Sequence, residues 1–449
     1  MKYNHIEVYL TTGDESKKLH KAFALSHKTK TADAVVNIDL SIKKQIIDGF
    51  GAAMTESSAY LISQLNEVNQ QAVLADLFSP DGIGMSFVRT TIGASDFSLR
   101  SFTYDDLNPD ETDEKLNQFS LSDDLNYVIP ILKKAKTYQD FLMIASPWTA
   151  PAWMKDNQSL NGGHLLVKYY PAYANYLMKY IQTYQAQGLE VYAITPQNEP
   201  RHESLTYPSM LMSSEEQRAF VKVLGHMFKE NQIESKIIAY DHNWDDTNYA
   251  KTIYDDIESA SFVSGTGFHC YDGDVKATQT LIDQYPSKDI WFTECSGGLW
   301  APNFSDNLGW NIENVFIGSL NHGAKSVLLW NIALDLESGP KNGGCMNCRG
   351  LLTIDPITQQ IEKNVEYYLV AHFSKFIQRG ANVIESNTIN KAILNACFLN
   401  PDGSVVCVIY NRLDKTQTIH IVIADDVIEY DLKEKSLVTF KLYPNDCNN

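Results

Sequence analysis

The chain alternates short apolar runs with longer segments of mixed polarity. Eight of the runs read as strands: Gln45–Phe50, Met85–Thr91, Phe141–Ser146, Val191–Pro196, Lys236–Tyr240, Gly265–His269, Ile290–Glu294 and Ser326–Asn331. Between them apolar residues recur at three- and four-residue spacing. Ala172, Tyr173, Tyr176, Leu177, Tyr180 and Ile181 form one such stripe, the mark of an amphipathic helix. Eight strand–helix units over about 330 residues predict an α/β architecture, a (β/α)8 TIM barrel with insertions. An open doubly wound sheet would want a glycine-rich phosphate loop after an early strand. Gly82-Ile83-Gly84 instead precedes its strand and reads as a turn.

The pattern changes after Arg379. Ala392–Leu399, Val405–Tyr410, Thr418–Ile423 and Leu437–Leu442 read as strands parted by turn signals such as Asn400-Pro401-Asp402-Gly403. Near the N-terminus, Ile6–Leu10 and Ala34–Leu40 have the same character. The predicted organisation is therefore residues 1–43 as N-terminal strands of an accessory domain, 44–379 as the barrel, and 380–449 as the rest of that domain. The accessory domain is an antiparallel β-sandwich built from both chain termini.

Composition narrows the class. Hydrophobic residues make up 44% and charged residues 20%, which excludes a disordered chain. Asp and Glu number 55 against 37 Lys and Arg, a net charge of −18. Such a chain lacks the basic patch that binds nucleic acid or an anionic membrane surface. No apolar run approaches the roughly 20 residues of a membrane span, so no stable membrane insertion is expected. Neutral or cationic substrates fit best. Met1 to Glu7 has no apolar leader core, so with Met1 as the native start the expectation is a cytoplasmic protein with reduced thiols. Among seven cysteines only Cys345 and Cys348 are close in sequence; a zinc half-site, a redox pair or a short-range structural disulfide are the options, and with no second such pair to complete a zinc site they read as loop packing.

In a barrel of this kind chemistry gathers at the C-terminal ends of the strands. Strand two leads to Arg89 and then Asp96, strand three to Ser146-Pro147-Trp148-Thr149, and strand four to Gln197-Asn198-Glu199-Pro200. Strand six leads to His269 and Tyr271, strand seven to Thr293-Glu294-Cys295, and strand eight to Trp330-Asn331. Strands four and seven face each other across the mouth, so Glu199 and Glu294 can converge. Carboxylates about 5 Å apart support glycoside hydrolysis with retention, whereas about 6.5–9.5 Å leaves room for a water and gives inversion. Mutual repulsion separates their proton affinities and so divides the roles. Asn198 can hydrogen-bond a sugar 2-hydroxyl beside Glu199, which makes Glu199 the acid/base. Arg89 and Tyr271 can keep Glu294 ionised, which makes it the nucleophile. Strand alternation turns Cys295 away from the mouth, into the core. His202 and Tyr207 can line the leaving-group side but read better as ordinary loop residues.

Asn198-Glu199-Pro200 and Phe292-Thr293-Glu294 resemble the retaining glycosidases whose acid/base lies on strand four and whose nucleophile lies on strand seven. Gly49-Phe50-Gly51-Ala52-Ala53-Met54-Thr55-Glu56, Ala94-Ser95-Asp96-Phe97-Ser98, the run from Ala145 to Lys155 and the run from His372 to Ile377 narrow the resemblance to glycoside hydrolase family 30, which includes lysosomal glucosylceramidase. The resemblance spans about Ala34 to Tyr443. It implies a barrel with a sandwich made of both termini, and a retaining mechanism without metal or organic cofactor. It further implies that Asp96, Trp148, Asn198 and Trp330 bind glucose, and that Arg89, His269 and Tyr271 orient the nucleophile. The loop from Gly339 to Gly350 is closer to microbial members, some of which cut β-1,6-glucans. The expected activity is that of a retaining β-glycosidase on β-D-glucosides, glucosylceramidase-like, working through a covalent glycosyl-enzyme ester. The alternatives are a β-1,6-glucanase, a β-xylosidase or β-fucosidase and, from another class, an inactive carbohydrate-binding barrel. The partner is a small β-glucoside or β-glucan; the oligomeric state is not legible.

Overall fold

The computed structural model describes residues 3–23, 30–388 and 390–445. Met1 and Lys2, on which the leader expectation partly rests, lie outside them. Eight parallel strands close into a barrel: β1 (Gly49–Ala53), β2 (Phe87–Ile92), β3 (Leu142–Pro147), β4 (Ala193–Ile194), β5 (Lys236–Asn243), β6 (Val263–His269), β7 (Asp289–Glu294) and β8 (Ala324–Leu329). Each neighbours the next in chain order, and β8 pairs back onto β1. All eight correspond to predicted strands, but the first begins later than expected. Gln45 and Ile46 belong instead to a strand of the accessory domain, Ala34–Ile46, whose burial alternates along its first half, whereas every residue of β1 is buried. Gly51 lets β1 approach β2, because a Cβ there would lie 2.0 Å from the Phe87 carbonyl oxygen.

Period-two alternation fills the barrel in layers. Phe87, Ile144, Ala193, Ile238, Trp291 and Leu328 form one apolar layer, and the Trp291 indole N–H is satisfied by Asp48 at 2.8 Å. Two residues further along four of those strands come Arg89, Ser146, Thr195 and Thr293, all buried. The barrel is thus apolar below and polar directly beneath its mouth.

Among the described residues, nine strands make the accessory sheet in the order His20–Ala22, Tyr3–Thr12, Ser436–Pro444, Val405–Asn411, Ile393–Leu399, Asn382–Thr388, Ala34–Ile46, Gln417–Ile423 and Asp426–Leu432. Both termini contribute, as expected. All neighbours are antiparallel except Ala34–Ile46 with Gln417–Ile423, a parallel pair that the antiparallel reading did not include. Val8 near one edge and Ile428 at the other share one apolar cluster with Val36, Ile409 and Phe440, so the sheet folds over itself as a sandwich. Asn382–Thr388 and Asp426–Leu432 carry too many polar residues to stand out in the sequence. The buried His372, on the helix Val365–Ser374, joins the two domains: its ring nitrogens lie 2.8 Å from the hydroxyls of Thr439 and Thr11. No helix among the described residues is long and apolar enough to cross a membrane.

Candidate active site

The polar layer is organised around one residue that strand alternation does not reveal. Counting inward positions from Ile238 would point Tyr240 into the barrel. A bulge between Tyr240 and His242 inserts an extra residue, with positive φ at Tyr240 (70°) and Asp241 (66°), and Asp241 takes the inward position. Its Oδ2 accepts from Arg89 Nη2 (2.8 Å), Ser146 (2.9 Å) and Thr195 (2.8 Å), and its Oδ1 accepts from Thr293 (2.7 Å) and His269 Nε2 (2.9 Å). Arg89 and His269 hold the Asp241 carboxyl far below the usual carboxylate range against the cost of its burial.

A second register shift, between Phe292 and Glu294 on β7, places Glu294 on the same side as Thr293. Glu294 Oε2 accepts from Arg89 Nη1, and its Oε1 accepts from the Tyr271 hydroxyl at 2.9 Å. The other Arg89 nitrogen also donates to Asn198 Oδ1 at 2.7 Å. Glu199 follows β4 in a left-handed conformation (φ 44°), and its backbone N–H is tied to the Asp241 carbonyl at 3.0 Å. Left-handed non-glycine residues cost of order 1–3 kcal/mol and gather at functional sites. His269 Nδ1 lies 3.1 Å from Glu199 Oε1 and 3.8 Å from Glu294 Oε1. His269 is thus hydrogen-bonded to Glu199 and Asp241 and stands beside the nucleophile position, where the family resemblance placed it, at ion-pair distance.

A carboxylate oxygen of each glutamate and a ring nitrogen of His269 all lie within 4.8 Å of one another. These three could geometrically ligate a cation, but Arg89 and a protonated His269 fill the same space with positive charge. Burial works against a charged His269, yet Glu294, Asp241 and Glu199 raise it to about 9, with both ring nitrogens donating. Burial would raise Glu199, but the His269 hydrogen bond and charge bring it down to about 2. Glu294 is pushed up by burial and by the charges of Glu199 and Asp241, against the pull of His269 and Arg89. In the Glu199–His269 pair the ring therefore holds the proton, and the acid role of Glu199 needs that proton to move across the hydrogen bond.

Trp148 and Trp330 stack at 5.1 Å and 17°, with the Arg89 guanidinium 5.1 and 5.6 Å from their rings. They form a small cluster at the mouth with Phe97, Ala53 and Leu334, apart from the main core. Tyr207 packs on this cluster and its hydroxyl lies 2.8 Å from His202 Nε2, so it belongs to the site rather than to an ordinary loop. The loop carrying Cys345 and Cys348 closes the same wall. Asn342 N–H donates to the Asp96 carbonyl at 2.7 Å, and a Cβ on Gly344 would come within 3.1 Å of Asp96 Oδ2. Burial, with the charges of Glu294 and Glu199, pushes Asp96 up to about 8.

Two cysteine expectations are corrected. Cys295 is joined to Cys270, and Cys345 to Cys348, as disulfides. Cys270 and Cys295 follow His269 and Glu294 at the ends of adjacent strands, so alternation turns both thiols the same way and brings their Cα atoms to 5.7 Å. Every predicted site residue lies at the mouth of the barrel. Asp241 was missed because a bulge leaves no trace in a hydrophobic pattern; the run of four polar or aromatic residues Tyr240-Asp241-His242-Asn243 at a strand end was the available signal.

The model of the glycosyl hydrolase family 30 TIM-barrel domain matches residues 47–377, and that of the family 30 β-sandwich domain matches residues 380–440. An endo-1,6-β-D-glucanase of Trichoderma harzianum is 33% identical over 84% of this chain and 80% of its own length. The lysosomal acid glucosylceramidase of Mus musculus is 30% identical over 85% of this chain and 78% of its own. The solved structure of an endo-β1,6-glucanase superposes with a TM-score of 0.91 at 33% identity, covering 97% of this chain and 98% of the other.

Proposed function

Because this chain belongs to glycosyl hydrolase family 30, we propose that it is a retaining glycosidase of β-1,6-linked glucan, with Glu294 as nucleophile and Glu199 as acid/base. The observation that carries the mechanism is the approach of the two carboxylates to within 4.8 Å. That is near the roughly 5–5.5 Å of retaining enzymes and short of the roughly 6.5–9.5 Å of inverting ones. The substrate reading draws on the endo-1,6-β-glucanases among the relatives and displaces the glucosylceramidase-like activity expected first. Glucosylceramide is the second reading, favoured by the similarity to the mouse enzyme.

Glu294 Oε1 or Oε2 attacks the anomeric carbon as the bond to the leaving oxygen breaks, and that oxygen takes a proton from Glu199. A bound sugar excludes water from the Glu199–His269 pair, which favours its neutral form, with the proton shifted along the 3.1 Å hydrogen bond to Glu199. Substrate thereby loads the acid. Arg89 and Tyr271 stabilise Glu294 as the anion before attack. Ester formation then removes that charge, Glu199 accepts a proton from water, and the hydroxide equivalent displaces Glu294 with net retention. Asp96 and Asn198 bind sugar hydroxyls, while the Trp148–Trp330 edge meets its C–H face.

The test offers a β-1,6-glucan, gentio-oligosaccharides and glucosylceramide to the protein, with the first-formed anomer read by NMR. Release of β-anomer from the glucan is expected. In Glu294→Gln turnover should fall by at least about 10³-fold, and Glu199→Ala should hurt poor leaving groups most. An α-anomer formed first, or glucosylceramide as sole substrate, would overturn the proposal.

A further inference from the structure

Beside the nucleophile lies a cavity of about 480 Å³ between the ends of β6 and β7 and the helix Phe304–Trp310. We infer that it is a second sugar site, holding a glucosyl unit of the same glucan chain beyond the one being cleaved; this rests on the glucan reading above. Its volume falls within the about 300–1,000 Å³ usual for small-molecule sites. The cavity adjoins the catalytic centre: Tyr271 lines it while donating its hydroxyl to Glu294 at 2.9 Å. The Cys270–Cys295 disulfide also borders it.

Three large aromatic side chains stay in solvent here: Trp300 is 54% exposed, Trp310 48% and Tyr271 46%. Elsewhere at the mouth Trp148 and Trp330 are only 3% exposed, so these rings offer the faces that the inner pair withholds. Trp300 is held in place. Its ring atoms lie 1.9 Å from where a Cβ on Gly298 would sit, so only glycine admits it, and Gly297–Gly298 pairs with Cys348–Arg349. Trp310 ends its helix directly before a π-helical turn, Asn311–Phe316, a feature frequent at functional sites.

The lining chemistry chooses the occupant. It contains no Leu, Ile, Val, Met or Phe; beside the three rings stand glycines, Ala301, the disulfide, Ser296 and the exposed carboxylate of Asp306, while the buried amides of Asn307 and Asn311 donate to Glu366 and to Asn307. An acyl or sphingoid chain would need an aliphatic wall. A pyranose presents C–H groups that pack on indole faces and hydroxyls that donate to a carboxylate such as that of Asp306.

Trp300→Ala and Trp310→Ala test the site. Substrates are gentio-oligosaccharides of increasing length and an aryl β-glucoside that fills only the cleavage position. The parent kcat/KM should rise with length, and each variant should lose about tenfold on the longer oligosaccharides while staying within twofold on the aryl glucoside. Equal losses on both substrates, or none, would overturn the site. Binding gives a separate readout in the Glu294→Gln background. Tryptophan fluorescence should change on titration with a gentio-oligosaccharide, and Trp300→Ala should weaken that binding about tenfold even if the parent protein turns over no glucan. A response to glucosylceramide micelles but not to oligosaccharide would overturn the sugar site and assign the cavity to a lipid aglycone.

Discussion

Asp241→Asn keeps the shape of the central carboxylate and removes its charge. Asp241 accepts five hydrogen bonds between 2.7 and 2.9 Å, three on Oδ2 and two on Oδ1. An asparagine has one acceptor oxygen and one donor amide, so two or three of these donors must face an N–H. The less costly orientation keeps the oxygen toward Arg89, Ser146 and Thr195. Thr293 can then rotate its hydroxyl, and His269 can accept at Nε2 only by giving up its proton. Breaking one partner of a buried ion pair costs about 3–5 kcal/mol, and the adjustment of His269 places this case near the lower figure. Calorimetry should show Tm falling by roughly 5 °C. Arg89 loses an anchor while still holding Glu294 and Asn198, and at 1.36 kcal/mol per tenfold a modest displacement costs about 10²-fold in kcat. The pH dependence has a definite sign. His269 is raised to about 9 partly by Asp241, so losing that charge lowers it, and the basic limb of kcat/KM on an aryl β-glucoside moves to lower pH. A variant with the parent Tm and an unmoved basic limb would refute the role of Asp241 as the anchor of this layer.

Burial brings His372 down to about 3, against about 6.5 in the unfolded chain. Its contribution to stability is therefore fully present above pH 6.5 and is lost as pH falls toward 3, up to about 5 kcal/mol. His372→Gln should flatten the fall of unfolding free energy between pH 6.5 and 4, measured by urea titration; an unchanged slope would refute it. The Cys270–Cys295 bond closes a segment with sequence separation 25, for which chain entropy predicts about 3.5 kcal/mol. The double variant Cys270→Ser/Cys295→Ser should lose that much and raise KM through looser Tyr271 placement. Equal stability of the variant and the parent would show that the bond does not constrain the unfolded chain.

The strand set was legible because it rests on local pattern. β3, β6 and β7 lie within two residues of their predicted bounds, and Glu199 and Glu294 stand where the reading of strand ends put them. Arg89 and Tyr271 also converge on Glu294 as expected, and Asn198 stands beside them against Arg89. The errors fall where one residue is added or where partners are distant. The bulge at Asp241 reverses an alternation count, and His269 hydrogen-bonds Glu199 and Asp241 while standing 3.8 Å from Glu294. Tyr207 meets Trp148 and Trp330 only because three separate strand ends deliver them to one wall.

What the sequence by itself determined is periodic: eight buried strands, a sandwich from both termini, and two glutamates at the ends of opposite strands. Periodicity is a property of neighbours along the chain, so it survives without coordinates. Only the tertiary structure decided the charge network, in which Arg89 reaches Glu294 across 205 residues, and the exposed tryptophans beside the nucleophile. Those depend on how the barrel closes and where a strand gains a residue. A shift of one residue exchanges the side chain that faces the substrate for the one that faces the core.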